Sequence, residues 1–104
     1  MAELIWAEPA IEDLGAVADY IALDNPAAAR RYVRKVFAKV SDLKTFPEMG
    51  QVPVELEDLP QFRHLVIGPC RVFYRASPGK VFILHVMRCE RLLRPQVLLD
   101  RDED

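Results

Sequence analysis

The chain has 104 residues, 51% of them hydrophobic, and a formal charge of −2. That length fits one domain over residues 1–104, and that composition excludes wholesale disorder. Apolar runs such as VFIL and LHVM are too short to cross a bilayer, and MAELIWAEPA lacks the basic start and apolar centre of a signal peptide, so a cytoplasmic location is expected.

In chain order, ELIWA (residues 3–7) is a short strand candidate. Pro9 suits a first helical position, where its missing N–H costs nothing. Ile11, Leu14, Val17 or Ala18, and Ile21 then recur at three- and four-residue steps, which predicts an amphipathic helix. Asp24-Asn25-Pro26 ends it. Proline pushes Asn25 out of helical geometry, and Asp24 or Asn25 caps a second helix. That helix places Ala29, Tyr32 or Val33, Val36, Val40 and Leu43 on one side. Arg30, Arg31, Arg34, Lys35 and Lys39 form a solvated face on the other. So short a connection makes the two helices an antiparallel hairpin.

Phe46-Pro47-Glu48-Met49-Gly50 breaks the helical pattern, and residues 51–55 suit a short edge strand. Three strand candidates follow: QFRHLVI, CRVFYRA and KVFILHVM, separated by Gly68-Pro69 and Ser77-Pro78-Gly79. The fold class is therefore α+β, with order β-α-α-β-β-β and a helical hairpin packed on a small antiparallel sheet. If the last turn centres between Pro78 and Gly79, Arg71 faces Val86 and Phe73 faces Leu84. Phe82, Leu84, Val86 and Arg88 then share a side with Arg71, Phe73 and Arg75, while Val81, Ile83, His85 and Met87 lie under the helices with Val72 and Tyr74. A longer loop shifts this by one residue and exchanges the faces of the last strand. Both faces are rich in large apolar side chains, and the hairpin covers only one of them. Leu92, Leu93, Val97, Leu98 and Leu99 offer one internal cover, as a last strand or helix; the DRDED tail over about residues 100–104 reads as solvated.

Cys70 and Cys89 lack the spacing of a zinc site, His64 and His85 add none, and a reducing compartment disfavours a disulfide. No metal or cofactor is expected. The charge is segregated. Residues 1–24 carry Glu3, Glu8, Glu12, Asp13, Asp19 and Asp24 without a lysine or arginine. Residues 61–94 carry Arg63, Arg71, Arg75, Lys80, Arg88, Arg91 and Arg94 against Glu90. A basic surface in the C-terminal half suits an anionic partner.

The chain resembles the RelE/ParE toxin superfamily, most closely its ParE or plasmid-stabilisation branch. The resemblance rests on an ordered set spread over most of the chain: Trp6, Ala10 and Asp13-Leu14; Tyr20-Ile21, Asn25-Pro26 and Ala28-Ala29; Phe46-Pro47 with Gly50; Arg63-His64-Leu65; Arg71 with Tyr74-Arg75; and the strand from Val81 to Val86. It implies a toxin of a type II toxin–antitoxin pair, neutralised by a cognate ParD-like antitoxin whose C-terminal segment covers the sheet. The ParE branch poisons DNA gyrase by stabilising its cleaved complex with DNA. It needs no catalytic residue and no sequence-specific nucleic-acid binding of its own. The RelE branch, which gives the alternative reading, cuts messenger RNA on the ribosome with basic side chains on the sheet and a tyrosine near the C-terminus. Set on that pattern, Arg71 matches a sheet arginine, but Cys89 stands where a basic residue is expected and Pro95 near the tyrosine. A non-toxic relic that only binds an antitoxin is the third reading. The residues expected to meet the target or antitoxin are Arg63, Arg71, Arg75, Arg88 and Arg91, with Phe73 and Tyr74 as apolar neighbours. The competing reading pairs these arginines with Glu90 or the acidic tail.

Overall fold

A computed structural model describes residues 1–102. The elements follow the expected order: β1 (Glu3–Trp6), α1 (Glu8–Ala22), α2 (Pro26–Ser41), β2 (Phe62–Ile67), β3 (Cys70–Ser77) and β4 (Lys80–Arg88), closed by a short helix, α3 (Pro95–Arg101). Pro9 occupies the first turn of α1, and Pro26 opens α2. The Asn25 side chain caps α2 by accepting the Ala28 N–H at 3.0 Å, which satisfies one of the donors every helix start leaves open.

The four strands lie in the order β1-β4-β3-β2. β2, β3 and β4 form the expected antiparallel meander. β1 joins β4 in parallel, with Trp6 opposite Ile83, so the sheet is mixed. Residues 51–55 do not form a strand. Gln51 makes a single bridge to His64, and Val54–Leu56 turn into a 3₁₀ helix. Pro53, at its start, has no N–H to give a ladder.

The β3–β4 register changes part-way. The turn does centre between Pro78 and Gly79, with Gly79 at φ +76°, so Arg75 faces Phe82 and Tyr74 faces Ile83 as expected. A bulge between Phe73 and Tyr74 on β3 then gives β4 one extra residue. Phe73 meets His85 instead of Leu84, and Arg71 meets Met87 instead of Val86. Beyond the bulge the sides of β4 are therefore exchanged relative to the sequence expectation. Val86 joins the core under the helices, and Met87 joins the opposite core. Arg88 turns toward α1, its guanidinium 4.8 Å from the Tyr20 ring centre.

Two cores result. The larger lies between the helical hairpin and the sheet and includes Leu14, Val36, Val40, Val72, Tyr74 and Ile83. The smaller lies on the other face and gathers Leu56, Phe62, Phe73, Leu84, Met87 and Leu98. Leu56 comes from the 3₁₀ turn and Leu98 from α3. The second face is thus covered by the chain's own segments, Leu98 supplying the internal cover that the sequence offered as one of two readings, in place of cover by an antitoxin segment. The acidic tail is corrected in part. Asp100 and Arg101 belong to α3, and Asp102 grips Arg75; residues 103–104 lie outside the described residues. Among the described residues, no helix is long and apolar enough to cross a membrane, and no histidine, cysteine and carboxylate cluster is suited to a metal.

Candidate functional site

The expected site residues divide into two groups. Arg71 is buried, 9% exposed, and its guanidinium makes a two-pronged ion pair with Glu55 at 2.9 Å on each prong. Its Nε donates to His64 Nδ1 at 2.9 Å, and its charge lies 4.7 Å from the Phe73 ring centre. Phe73 and Tyr74 are fully buried. The Tyr74 hydroxyl accepts the Gly50 N–H at 2.9 Å, while Arg63 donates to the Gly50 carbonyl, also at 2.9 Å. Arg75 is paired with Asp102 at 2.6 and 3.1 Å, and its guanidinium stacks 4.9 Å from the Phe82 ring centre. Arg71, Phe73, Tyr74 and Arg75 therefore do not form an open docking platform. They hold the 3₁₀ turn, the Gly50 loop and α3 onto the sheet. The partners of these arginines are carboxylates the sequence places far away, as in the competing reading, with Glu55 added to the acids it named.

Titration behaviour follows the same contacts. The Arg71 hydrogen bond, working against partial burial, holds the Glu55 carboxyl below its ordinary range. Burial lowers the His64 pKa, and the neighbouring Arg71 charge lowers it further. A neutral His64 is the form that can accept from Arg71.

Arg88 and Arg91 belong to the second group. They line a groove of about 970 Å³ between α1 and the segment that links β4 to α3. Asp13, Val17 and Tyr20 form the α1 wall, Val86 and Arg88 lie along the floor, and Arg91, Leu92, Arg94 and Val97 form the far side. Tyr20 is 61% exposed and Leu92 93% exposed. Arg88 donates to Glu90 at 2.5 Å, an exposed pair of small energetic value. Sequence reasoning did not single out Tyr20 or Arg94. Tyr20 carried a signal, as an aromatic side chain off the apolar stripe of its helix.

Asp13 closes the inner end of the groove for a backbone reason. β1 stops at Trp6, whereas β4 continues to Arg88. The last link across is Ala7 N–H to the Ile83 carbonyl, at 2.8 Å. The edge of β4 beyond that point has lost its ladder partner and needs others. Asp13 Oδ2 accepts the Val86 N–H at 3.1 Å, and Arg101 Nη1 donates to the Leu84 carbonyl at 3.1 Å. The two caps also bond each other, Arg101 Nη1 to Asp13 Oδ2 at 2.6 Å. His85 Nδ1 is 2.7 Å from the same carboxylate oxygen. The same Nδ1 is 3.0 Å from Arg101 Nη1, so the imidazole tautomer decides whether it donates to Asp13 or accepts from Arg101. Burial raises the Asp13 pKa, but hydrogen bonds from His85, Arg101 and the Val86 N–H outweigh it, and the carboxyl stays below its ordinary range.

Comparison with known proteins places this architecture. The family description "ParE toxin of type II toxin-antitoxin system, parDE" matches residues 4–93. The chain belongs to the ParE toxin family. A curated relative, Toxin RelE2 of Caulobacter vibrioides, is 31% identical over 93 residues, spanning 88% of this chain and all of the relative. A solved structure described as a chromosomal ParDE TA system from P. aeruginosa superposes with a TM-score of 0.71 at 27% identity, covering 86% of this chain and 98% of that one. The type II toxin fold of the ParE/RelE family thus includes the whole meander and both hairpin helices. In this ParE-family chain, Arg88 and Arg91 line the groove, whereas Arg63, Arg71 and Arg75 brace the fold.

Proposed function

We propose that this chain is a cytoplasmic toxin that inhibits DNA gyrase by surface contact, stabilising the enzyme's cleaved complex with DNA, and that a cognate ParD-like antitoxin neutralises it. The observation that carries this reading is the state of Arg71. It matches the sheet arginine of the nuclease pattern, yet Glu55 neutralises it and the second core buries it. Cleaving a phosphodiester through the 2′-hydroxyl needs a cation free to meet charge developing on phosphorus. Arg71 is committed elsewhere, whereas Arg88, Arg91 and Arg94 line the open groove. Contact with a large anionic or mixed surface is the chemistry that suits them. Arg88 and Arg91 remain the proposed target- or antitoxin-facing residues, with Tyr20 and Arg94 added.

The test is induction of the chain alone, followed by two assays on one culture. Accumulation of gyrase-linked linear plasmid without ribosome-dependent messenger cuts supports the proposal. Truncated messages with unaffected supercoiling would replace it with the endoribonuclease reading. Co-expression with a cognate ParD-like antitoxin should restore growth and yield a complex that survives gel filtration.

A further inference from the structure

The sequence of α2, PAAARRYVRKVFAKVS, carries Arg30, Arg31, Arg34, Lys35 and Lys39 and no acid. All of these cations are exposed, and none forms an ion pair among the described residues. Their arrangement follows from helix geometry. Successive residues turn by about 100°, so Arg30, Arg34, Arg31, Lys35 and Lys39 come round in that order and fan over about half of the circumference. The other half presents Ala29, Tyr32, Val36 and Val40, which are buried. The Tyr32 hydroxyl donates to the Ile67 carbonyl at 2.5 Å and fixes the rotation of the helix about its axis. Between the cations lie Ala27, Ala28, Ala38 and Ser41, all too short to hold a partner away.

Such a face suits dense negative charge with no apolar anchor. A protein interface has an apolar centre from which charges are depleted, and this arc holds no large apolar side chain. Phe37, 46% exposed, lies outside it, its ring centre 5.1 Å from that of Trp6. An anionic bilayer would need apolar side chains beside the cations, and those of α2 are turned into the core. A DNA duplex needs cations alone. From Arg30 to Lys39 the helix advances about 14 Å, at roughly 1.5 Å per residue, a length over which a duplex presents about eight phosphates on its two strands. The helix is also about as wide as the major groove, roughly 10–12 Å against 12 Å. A fan of half a turn then reaches the backbone on either side.

We propose that the outer face of α2 docks on the phosphate backbone of duplex DNA. The choice of DNA rests on the gyrase reading above, in which a duplex is held in the cleaved complex and α2 gives the chain its own grip on it. Asp19 shares the cleft between the helices with Arg30 and Arg34 and weakens that flank, so Arg31, Lys35 and Lys39 carry most of the contact. The contact is blind to sequence and sensitive to salt, because cations on phosphates displace counterions and read no base edges. No residue of α2 lines the groove of Arg88 and Arg91, so a protein surface can occupy that groove while α2 holds DNA.

The test follows binding of the full chain to two fluorescent DNA duplexes of unrelated sequence, and to polyglutamate, by anisotropy over a salt series. Log affinity for both duplexes should fall against log salt with a slope of about −3 to −4.5, a loss of about 40- to 500-fold between roughly 50 and 200 mM. Arg31→Gln, Lys35→Gln and Lys39→Gln should each reduce that slope by about one. Lys80→Gln makes the same charge change at the end of β3 remote from Tyr32 and should leave it unchanged. All four side chains are exposed, so the urea midpoints should match that of the parent chain. No duplex binding at about 50 mM salt, an equal effect of Lys80→Gln, or polyglutamate bound as tightly as DNA would overturn the proposal. In the gyrase assay, the triple variant Arg31→Gln, Lys35→Gln, Lys39→Gln should give less cleaved complex. An undiminished yield would overturn the proposal while leaving the gyrase reading intact. No cleaved complex from the parent chain, with duplex still bound through α2, would remove the gyrase reading and retain the docking face.

Discussion

Replacing Leu98 with alanine tests whether α3 is a fixed part of the fold. Leu98 is fully buried and is the α3 residue that enters the second core, against Phe62, Phe73 and Leu84. Burying a leucine contributes about 1.5–3 kcal/mol, and truncation to alanine at such sites costs about 2–5 kcal/mol once the residual cavity is included. A further limit applies here. α3 has seven residues, too few to persist in water without packing, so the fold can shed it once the cost of keeping it exceeds its docking energy. That docking energy comprises the Leu98 burial and the Arg75–Asp102 and Arg101–Asp13 pairs. The expected loss is then about 3 kcal/mol, toward the lower half of the range. In urea, with m of about 1.5 kcal/mol/M, the midpoint should fall by about 2 M. The Asp102 amide, which donates to the Leu98 carbonyl at 3.0 Å, should lose its exchange protection. Leu92→Ala, at a 93% exposed position, is the matched control and should leave the midpoint unchanged. If Leu98→Ala moves the midpoint no more than Leu92→Ala and the Asp102 amide stays protected, the covered second face is not what holds α3.

Three other substitutions and conditions probe separate contacts. Gly50→Ala should lower Tm by roughly 10 °C in a thermal melt, because the added Cβ would lie 2.6 Å from the Tyr74 hydroxyl and 2.7 Å from the His64 carbonyl, and the buried Tyr74 ring has little space to retreat. Arg101→Met strips the Leu84 carbonyl and Asp13 of a donor and should cost about 3 kcal/mol; combined with Asp13→Asn, the two changes should be non-additive by more than about 1 kcal/mol in a denaturation cycle. Stability should decline in two stages on acidification. The His64 pKa is depressed below 6.5, so the unfolded chain takes up that proton first, and stability falls as pH drops from about 6.5 through the folded value. Asp13 and Glu55 are depressed below 3.8 and 4.5; their contribution is complete above those values and lost as pH falls through the folded ones. Urea midpoints measured against pH should show both stages, His64→Asn should remove the first, and a flat profile down to pH 5 would contradict the Arg71–His64 contact.

The helical hairpin and the order of strands were legible because their signals are local. Leu14, Val17 and Ile21 mark a helix by spacing, Asn25-Pro26 by capping, and Pro78-Gly79 a turn by its φ requirement. The bulge was not legible, since VFILHVM is apolar on both parities and either register buries hydrophobic side chains. The arginines of the β3 face were visible, but not their partners. Glu55 and Asp102 reach Arg71 and Arg75 across 16 and 27 residues of chain, and no periodicity encodes such pairs. The groove was half visible. Arg88 and Arg91 stood out by charge, whereas the role of Asp13 depends on where β1 happens to stop, which only the assembled sheet reveals.

The extra residue of β4 also bears on which length changes this strand can absorb. Val81 and Ile83 before it and Val86 after it all face the hairpin helices, so losing one residue at position 84 or 85 would simply straighten the strand, with the apolar side chains flanking the gap keeping their sides. A deletion elsewhere in β4, with the bulge retained, would turn every residue on one side of the gap inside out. Homologous chains of different length are therefore expected to place their gap in this strand at Leu84-His85. Those that have lost the histidine should also have changed the acid at position 13, whose ring partner would no longer exist.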